Sequence, residues 1–148
     1  MGAFLDVQSA LTMPLGPAIN GYQLAGSDGS IYNFGVAPFL GSMRGHSLSR
    51  PVVGIAPTAD RMGYWLVASD GGVFTFGDAG FFGSTGNIRL NQPVVGMAAT
   101  PSGHGYWLVA SDGGIFTFGD AGFFGSTGNI RLNQPVVGMA ATPSGHGY

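Results

Sequence analysis

The sequence predicts an all-β protein built from tandem repeats of about 42 residues, and three observations support this class. First, Gly21, Gly63, Gly105 and Gly147 each open a copy of one motif, at a constant spacing of 42 residues. Second, short segments rich in β-branched and aromatic residues alternate with glycine-containing turns, as antiparallel strands do. Third, no segment combines helical periodicity with helix caps. A fixed period of this length is typical of architectures in which each unit packs on its neighbours.

The period divides the chain into one repeat domain over residues 1–148. It comprises a degenerate unit at 9–50, full units at 51–92 and 93–134, and a partial unit at 135–148. In the degenerate unit, Pro14, Gly16 and Pro17 obstruct the first strand, because proline has no N–H for a sheet ladder. Residues 63–106 and 105–148 differ only at Val73 and Ile115, which indicates recent duplication or engineering. The motif stops part-way at Tyr148, so we expect a fragment of a longer array or a designed boundary.

Each unit is predicted to contain four short antiparallel strands. In the third unit they are Val94–Thr100, Tyr106–Ala110, Ile115–Phe118 and Phe123–Ser126. The Asp-Gly step between the second and third strands predicts a hairpin with a type I′ turn. Alternation places Tyr64 and Leu66 on one face of the second strand and Trp65 and Val67 on the other. Both faces are therefore apolar, as in a sheet stacked between two others, and the sequence predicts blades of a β-propeller.

The number of units predicts how such a ring would close. The chain holds about 3.5 units, whereas propellers have typically four to eight blades. We therefore expect a homodimer or a higher closed ring. The strand at 9–20 would be replaced by the intact strand that begins at Val136, from the same chain or from a partner. The alternative is that the chain is a segment cut from a longer array.

Composition excludes several classes of protein. Charged residues make up 8% of the chain, and neither Lys nor Glu occurs, so the chain is too apolar to be disordered. A net charge of −2 offers no basic stripe for nucleic acid. Without cysteine there is no disulfide and no cysteine-ligated zinc, and no apolar run is long enough for a membrane span. The N-terminus lacks the basic region of a signal peptide, and no cofactor motif is present.

The motifs also carry a resemblance. The run GYWLVASDGGIFTFGDAGFFGSTG at 105–128, followed by PVVGMA at 135–140, resembles tandem repeats of actinobacterial secreted and cell-wall-associated proteins, over roughly residues 21–148. The order of strand, Asp-Gly, aromatic strand and Phe-Gly is more loosely similar to the blades of RCC1-like propellers, although the units here are shorter. The first resemblance implies an extracellular or cell-wall location, and neither supplies catalytic residues.

Recurrent polar residues offer candidate chemistry. Asp28, Asp70 and Asp112 share one repeat position, and Asp78 and Asp120 share another. These acids could be cation ligands or glycosidase-type carboxylates, but their places in glycine-containing turns favour turn formation. His104 and His146 recur in one turn and His46 lies elsewhere in its unit, so the histidines are predicted to be surface residues and not a metal site.

Ligand binding is predicted for aromatic and loop residues that recur in the second and third units. Trp65 and Trp107, with Tyr64 and Tyr106, could form sugar-binding faces, or could instead fill the core between blades. The loop Gly-Asn-Ile-Arg-Leu-Asn-Gln is predicted to be exposed and to contact a ligand through Asn87, Arg89, Asn91, Asn129, Arg131 and Asn133.

Three functions compete on these grounds. The first is a non-catalytic extracellular or cell-wall scaffold that binds glycan or protein. The second is a purely structural or engineered propeller fragment that assembles into a closed ring. The third is a propeller hydrolase, which is disfavoured because an active site needs unlike residues to converge and exact repeats supply like ones. The first is the function that the sequence predicts.

Overall fold

Eight short strands in three antiparallel sheets make up the described part of the chain. The computed structural model describes residues 20–148, so the predicted degenerate strand within 9–20 lies outside the described residues. The strands are β1 (Gly21–Ala25), β2 (Ile31–Gly35), β3 (Val52–Pro57), β4 (Gly63–Ala68), β5 (Val73–Gly77), β6 (Val94–Ala99), β7 (Gly105–Ala110) and β8 (Ile115–Gly119). Residues 20–148 form no helix, and hence none that could cross a membrane. The all-β class is confirmed.

The sheets follow the repeat. Their strand orders are β1-β2, β3-β4-β5 and β6-β7-β8, and the second and third sheets share one register, since Ile55 faces Leu66 as Met97 faces Leu108. We refer to the sheets with their following loops as units 1, 2 and 3, and to residues 135–148 as the C-terminal segment.

The hairpin between the second and third strands of each full unit forms, but its predicted type I′ turn is wrong. Gly71 has a φ of 80°, while Asp70 is not among the described residues with positive φ. Ala68 N–H donates to the Gly72 carbonyl at 2.9 Å and Gly71 N–H to the Ala68 carbonyl at 2.8 Å. This is a three-residue loop with glycine in the left-handed position. The Asp70 carboxylate accepts a hydrogen bond from Gly72 N–H at 2.9 Å, which stabilises this alternative turn.

The predicted fourth strand is also wrong, because residues 81–84 and 123–126 are not in strands. Gly83 has a φ of 130°, which interrupts an extended ladder. Phe82 N–H instead donates to the hydroxyl of Tyr106 in the next unit at 3.1 Å, and that hydroxyl donates to the Gly83 carbonyl at 2.6 Å. The backbone of this segment therefore bonds the following unit, and each full sheet has three strands.

Successive sheets stack face to face through their apolar side chains. All six residues of β4 are buried. Trp65 and Val67 pack in a cluster with Val94 and Leu108 of unit 3, whereas Tyr64 and Leu66 pack on the opposite side against unit 1. The predicted alternation is thus confirmed, and β4 lies at the centre of a three-layer stack.

Glycines allow the first strands of neighbouring units to approach closely. A β-carbon at Gly54 would lie 3.5 Å from the Cα of Gly96, and one at Gly96 would lie 3.6 Å from the Cα of Gly138. Gly54, Gly96 and Gly138 therefore form a column along which β3, β6 and the C-terminal segment stack. We call these three residues the glycine column.

Candidate functional site

The exit loop of unit 2, residues 85–92, folds back over the hairpin of the same unit. Thr85 N–H donates to the Gly71 carbonyl at 3.1 Å, and its buried hydroxyl donates to the Asp70 carbonyl at 3.0 Å. Ile88 N–H then bonds the Thr85 carbonyl at 2.9 Å and turns the chain outward. These bonds hold the loop beside the hairpin tip and leave its polar side chains exposed.

An open cleft of about 550 Å³ lies between this loop and the hairpin. The start of β6 closes one side, where Val94 N–H bonds the Ser69 carbonyl at 2.8 Å, and Ser69 N–H bonds the Pro51 carbonyl at 2.9 Å. We call it the loop cleft. Its lining combines cationic, anionic, amide and apolar groups: Arg50, Pro51, Ser69, Asp70, Ile88, Arg89, Leu90, Asn91, Gln92 and Pro93.

Two of the predicted ligand residues, Arg89 and Asn91, line the loop cleft together. Asn87 is exposed on the same loop but is not part of the lining. In unit 3, Asn129, Arg131 and Asn133 are exposed on an identical loop, which Thr127 fastens to its hairpin through a 3.0 Å bond to the Asp112 carbonyl. The predicted polar residues therefore lie at the surface, with those of units 2 and 3 on separate loops.

The residues that line the loop cleft differ from their repeat counterparts in unit 3 at one charged position. Arg50 lines the loop cleft, and Gln92 and Gln134 occupy the corresponding places 42 and 84 residues later. The lining of the loop cleft thus includes two guanidinium groups, from Arg50 and Arg89, and the Asp70 carboxylate. Guanidinium groups bind carboxylates through paired, charge-assisted hydrogen bonds.

Trp65 and Trp107, the predicted aromatic ligand residues, are inaccessible. Both indoles are fully buried, and their Nε1–H groups donate to the carbonyls of Gly80 and Gly122 at 2.7 and 2.6 Å. Tyr64 and Tyr106 are buried beside them, and burial raises the pKa of both phenols. These four aromatic residues form the core between units, and a dissolved sugar cannot reach them in this structure.

The aspartates of the hairpins act within their turns. Asp28 and Asp112 accept backbone N–H bonds from Ser30 and Gly114 at 2.9 Å, as Asp70 does from Gly72. The bond from Ser30 lowers the pKa of Asp28. Across residues 20–148, no group of three or more His, Cys, Asp or Glu side chains could hold a metal ion.

A pair of carboxyl groups lies at the other end of unit 2. The interaction of the neighbouring Asp60 and Asp78 carboxyl groups lowers the pKa of Asp60 to about 2 and raises that of Asp78. The Thr58 hydroxyl contacts both carboxyl groups, at 2.7 and 3.3 Å. The pair borders a cavity of about 240 Å³ that His104 of unit 3 also lines. One proton shared between the two carboxyl groups explains the opposite shifts.

Unit 3 replaces this carboxyl pair with a hydroxyl and a single acid. Ser102 stands where unit 2 has Asp60, and its hydroxyl donates to Asp120, which lowers the pKa of that carboxyl. His46, His104 and His146 are all exposed, as the sequence predicted for surface turns.

Sequence reasoning did not single out Arg50 or Asp60. Both are positions where unit 2 departs from the later copies, since Arg50 corresponds to Gln92 and Asp60 to Ser102. A comparison of the units that sought differences, and not only shared residues, would have identified both.

The comparisons with known proteins give no family. No protein-family model matches the chain. No curated protein matches it either.

Proposed function

We propose that this chain is a non-catalytic propeller scaffold that binds acidic glycan through the loop cleft of unit 2 and the identical exit loop of unit 3. The observation that carries the proposal is the loop cleft of unit 2, where Arg50, Arg89 and Asn91 converge beside Asp70. The resemblance to cell-wall-associated repeats adds an extracellular or cell-wall location.

Stacking of the units supports a propeller arrangement. Three-stranded sheets face each other, and the glycine column brings their first strands together. Tyr64 of unit 2, Tyr106 of unit 3 and Tyr148 of the C-terminal segment each bond the segment before them. Sheets that converge on their first strands and are linked in series follow a common axis, as propeller blades do. In this proposal a blade has three strands followed by an irregular segment.

The chemistry of the loop cleft favours a saccharide that carries carboxylates. Asn91 and Gln92 supply amide donors and acceptors for sugar hydroxyls. Ile88, Leu90 and two prolines supply apolar surface for the sugar ring. Two arginines against one aspartate leave an excess positive charge, which an acidic sugar would neutralise. The cleft lacks an aromatic platform because the tryptophans are in the core.

The carboxyl pair gives no support to the hydrolase alternative. Glycosidases hold their two carboxyl groups about 5–9.5 Å apart, so that the sugar bond fits between them. Asp60 and Asp78 instead both contact the single Thr58 hydroxyl, at 2.7 and 3.3 Å, which leaves no room for a sugar bond between them. The aspartates of the hairpins are engaged in their own turns. A binding scaffold needs no catalytic acid or base from these aspartates.

Binding to defined saccharides tests this function. We expect saturable calorimetric binding of an acidic oligosaccharide, such as oligogalacturonate, and much weaker binding of a neutral oligosaccharide of equal length. The double variant Arg89→Ala/Arg131→Ala should lose binding while keeping its thermal stability. If neither saccharide binds at millimolar concentration, the purely structural function is the better explanation.

A further inference from the structure

Among residues 20–148, no strand pairs with the outer edge of β1 in unit 1, and we call this open edge the slot. In units 2 and 3 the equivalent place is filled by β3 or β6, which pairs with the second strand of its own unit. Within residues 20–148, β1 pairs only with β2. A cavity of about 310 Å³ lies between units 1 and 2, lined by Gly21, Tyr22, Gln23, Ala37, Pro38, Ile55, Pro57, Arg61 and Gly63. It lies where unit 2 has the indole of Trp65, because Gln23 has that repeat position in unit 1 and bonds the Pro38 carbonyl as Trp65 bonds that of Gly80.

The C-terminal segment presents the complementary feature. Residues 136–141 have the same sequence as β6, Val-Val-Gly-Met-Ala-Ala. Val136 N–H bonds the Ser111 carbonyl at 2.8 Å, as Val94 bonds Ser69, and Met139 and Ala141 pack against Trp107. The segment is therefore seated on unit 3 as β6 is on unit 2. It has no partner strand in the described structure, and Val137 is 84% exposed.

We infer that residues 136–141 of one copy fill the slot of a second copy and pair with its β1. The repeat fixes the register, because Met139 corresponds to Met97 and Leu24 to Leu108, which face each other in unit 3. Met139 of one copy then faces Leu24 of the other. The glycine column continues across the contact, so that Gly138 of one copy lies against Gly54 of the other.

The exposed aromatic face of unit 1 supports this occupant. Tyr22 is 62% exposed, whereas Tyr64 and Tyr106, at the same repeat position, are at most 1% exposed. Tyr22 stacks on Phe34 with ring centroids 5.1 Å apart, on the face that unit 3 of the other copy would cover. Each contact joins two strands of one copy to one strand of the other in a composite three-stranded sheet. Two copies of the 148-residue chain then hold six sheets, a number within the range of closed propellers.

One exchange of side chains accompanies docking. The Tyr148 hydroxyl donates to the Gly125 carbonyl at 2.6 Å and accepts a hydrogen bond from Phe124 N–H at 3.0 Å. Tyr22 of the second copy has the same repeat position as Tyr148, so after docking its hydroxyl would bond Phe124 N–H and the Gly125 carbonyl of the first copy. Gly147 and Tyr148 must therefore leave, and removing them should tighten the dimer.

Mass and cross-linking test the inference on the 148-residue chain. Light scattering should give twice the 15.1 kDa mass of one chain, and a truncated chain that ends at His146 should dissociate at lower concentration. The chain has no cysteine, so any disulfide that forms must join the introduced thiols. A mixture of Leu24→Cys chains and Met139→Cys chains should oxidise to a heterodimer, because facing residues in a sheet lie within disulfide range.

Two further cysteine pairs serve as positive and negative controls for the cross-linking. The pair Met97→Cys/Leu108→Cys should cross-link within one chain, which shows that this strand position accepts a disulfide. A mixture of Leu24→Cys with Ala140→Cys should not cross-link, because adjacent residues point to opposite faces.

Two results would overturn the inference. The first is a monomer at all concentrations without a mixed disulfide. The second is a disulfide within a monomeric Leu24→Cys/Met139→Cys chain, which would mean that the chain fills its own slot. The inference rests on the propeller arrangement proposed above but not on its ligand. Loss of saccharide binding in a dimer would therefore overturn only the proposed ligand.

Discussion

The Tyr106 hydroxyl donates a hydrogen bond to the Gly83 carbonyl at 2.6 Å and so ties unit 3 to unit 2. The same hydroxyl accepts the Phe82 N–H bond, and the Tyr106 ring packs edge-on against Phe82 at 5.9 Å. One side chain thus satisfies a donor and an acceptor of the segment that was predicted to be a fourth strand. The hydrogen bonds of the Tyr106 hydroxyl therefore both join the two units and keep this segment out of a strand.

Removal of this hydroxyl should loosen the contact between units 2 and 3. Tyr106→Phe leaves the ring in place but deprives a buried site of its donor and acceptor, at an expected cost of about 1–3 kcal/mol. Urea unfolding should show this loss at an unchanged m-value. The matched control is Tyr22→Phe at low protein concentration, where Tyr22 is exposed and the expected change is close to zero. Equal losses in the two variants would contradict the role assigned to Tyr106.

Tryptophan fluorescence should be insensitive to saccharide. Because both indoles are fully buried and hydrogen-bonded to backbone carbonyls, their emission should lie at short wavelength and resist quenching by iodide. Addition of an acidic oligosaccharide that binds the loop cleft should leave the emission maximum unchanged. A shift of the emission maximum on addition of the saccharide would indicate that Trp65 or Trp107 contacts the ligand, as the sequence allowed.

The repeat period and the alternation of apolar residues were sufficient to predict the all-β class and the positions of the paired strands. Strand positions and the two apolar faces of β4 follow from alternation along Tyr64–Val67, which the described packing repeats. The fourth strand could not be excluded from local sequence, since the bonds that prevent it come from Tyr106, 24 residues beyond Phe82. The turn type was missed because the Asp70 side chain stabilises a competing three-residue loop.

The candidate site was only partly predictable. Arg89 and Asn91 were recognised because exposed loops carry recurring polar residues. Arg50 precedes β3, and its convergence with Arg89 depends on how the start of β3 lies against the hairpin tip. From the sequence, Trp65 and Trp107 could have bound a sugar or filled the core between units. Only the way in which the units stack shows that they are core residues.

The contributions of Asp78 in unit 2 and Asp120 in unit 3 to stability should depend on pH in opposite directions. The raised pKa of Asp78 means that its contribution to stability is present below its usual value of 3.8 and is lost as pH rises through the raised pKa. Asp120, whose pKa is lowered, contributes above 3.8 and loses that contribution as pH falls through the lowered pKa. Asp78→Asn should therefore gain stability relative to the parent chain as pH rises from 3 to 7, whereas Asp120→Asn should lose it.

Thermal melting at low ionic strength across that range measures both variants. The shifts should be small, because both side chains are exposed, and salt should diminish the effect at Asp78 by screening its repulsion from Asp60. Parallel pH profiles for the two variants would contradict the shared proton assigned to Asp60 and Asp78.

The difference between Arg50 and Gln92 should determine which loop cleft prefers an acidic sugar. Arg50→Gln gives unit 2 the side chain that unit 3 has at this position, and we expect it to weaken binding of an acidic oligosaccharide about tenfold, equivalent to roughly 1.4 kcal/mol. The residual binding should depend less on salt, because one charge pair is lost. Because Gln92 also lines the loop cleft of unit 2, Gln92→Arg adds a charge beside the exit loops of both units, and calorimetry should show a higher affinity for the acidic oligosaccharide. If Arg50→Gln leaves affinity and salt dependence unaltered, the ligand does not engage the loop cleft of unit 2 through its arginine pair.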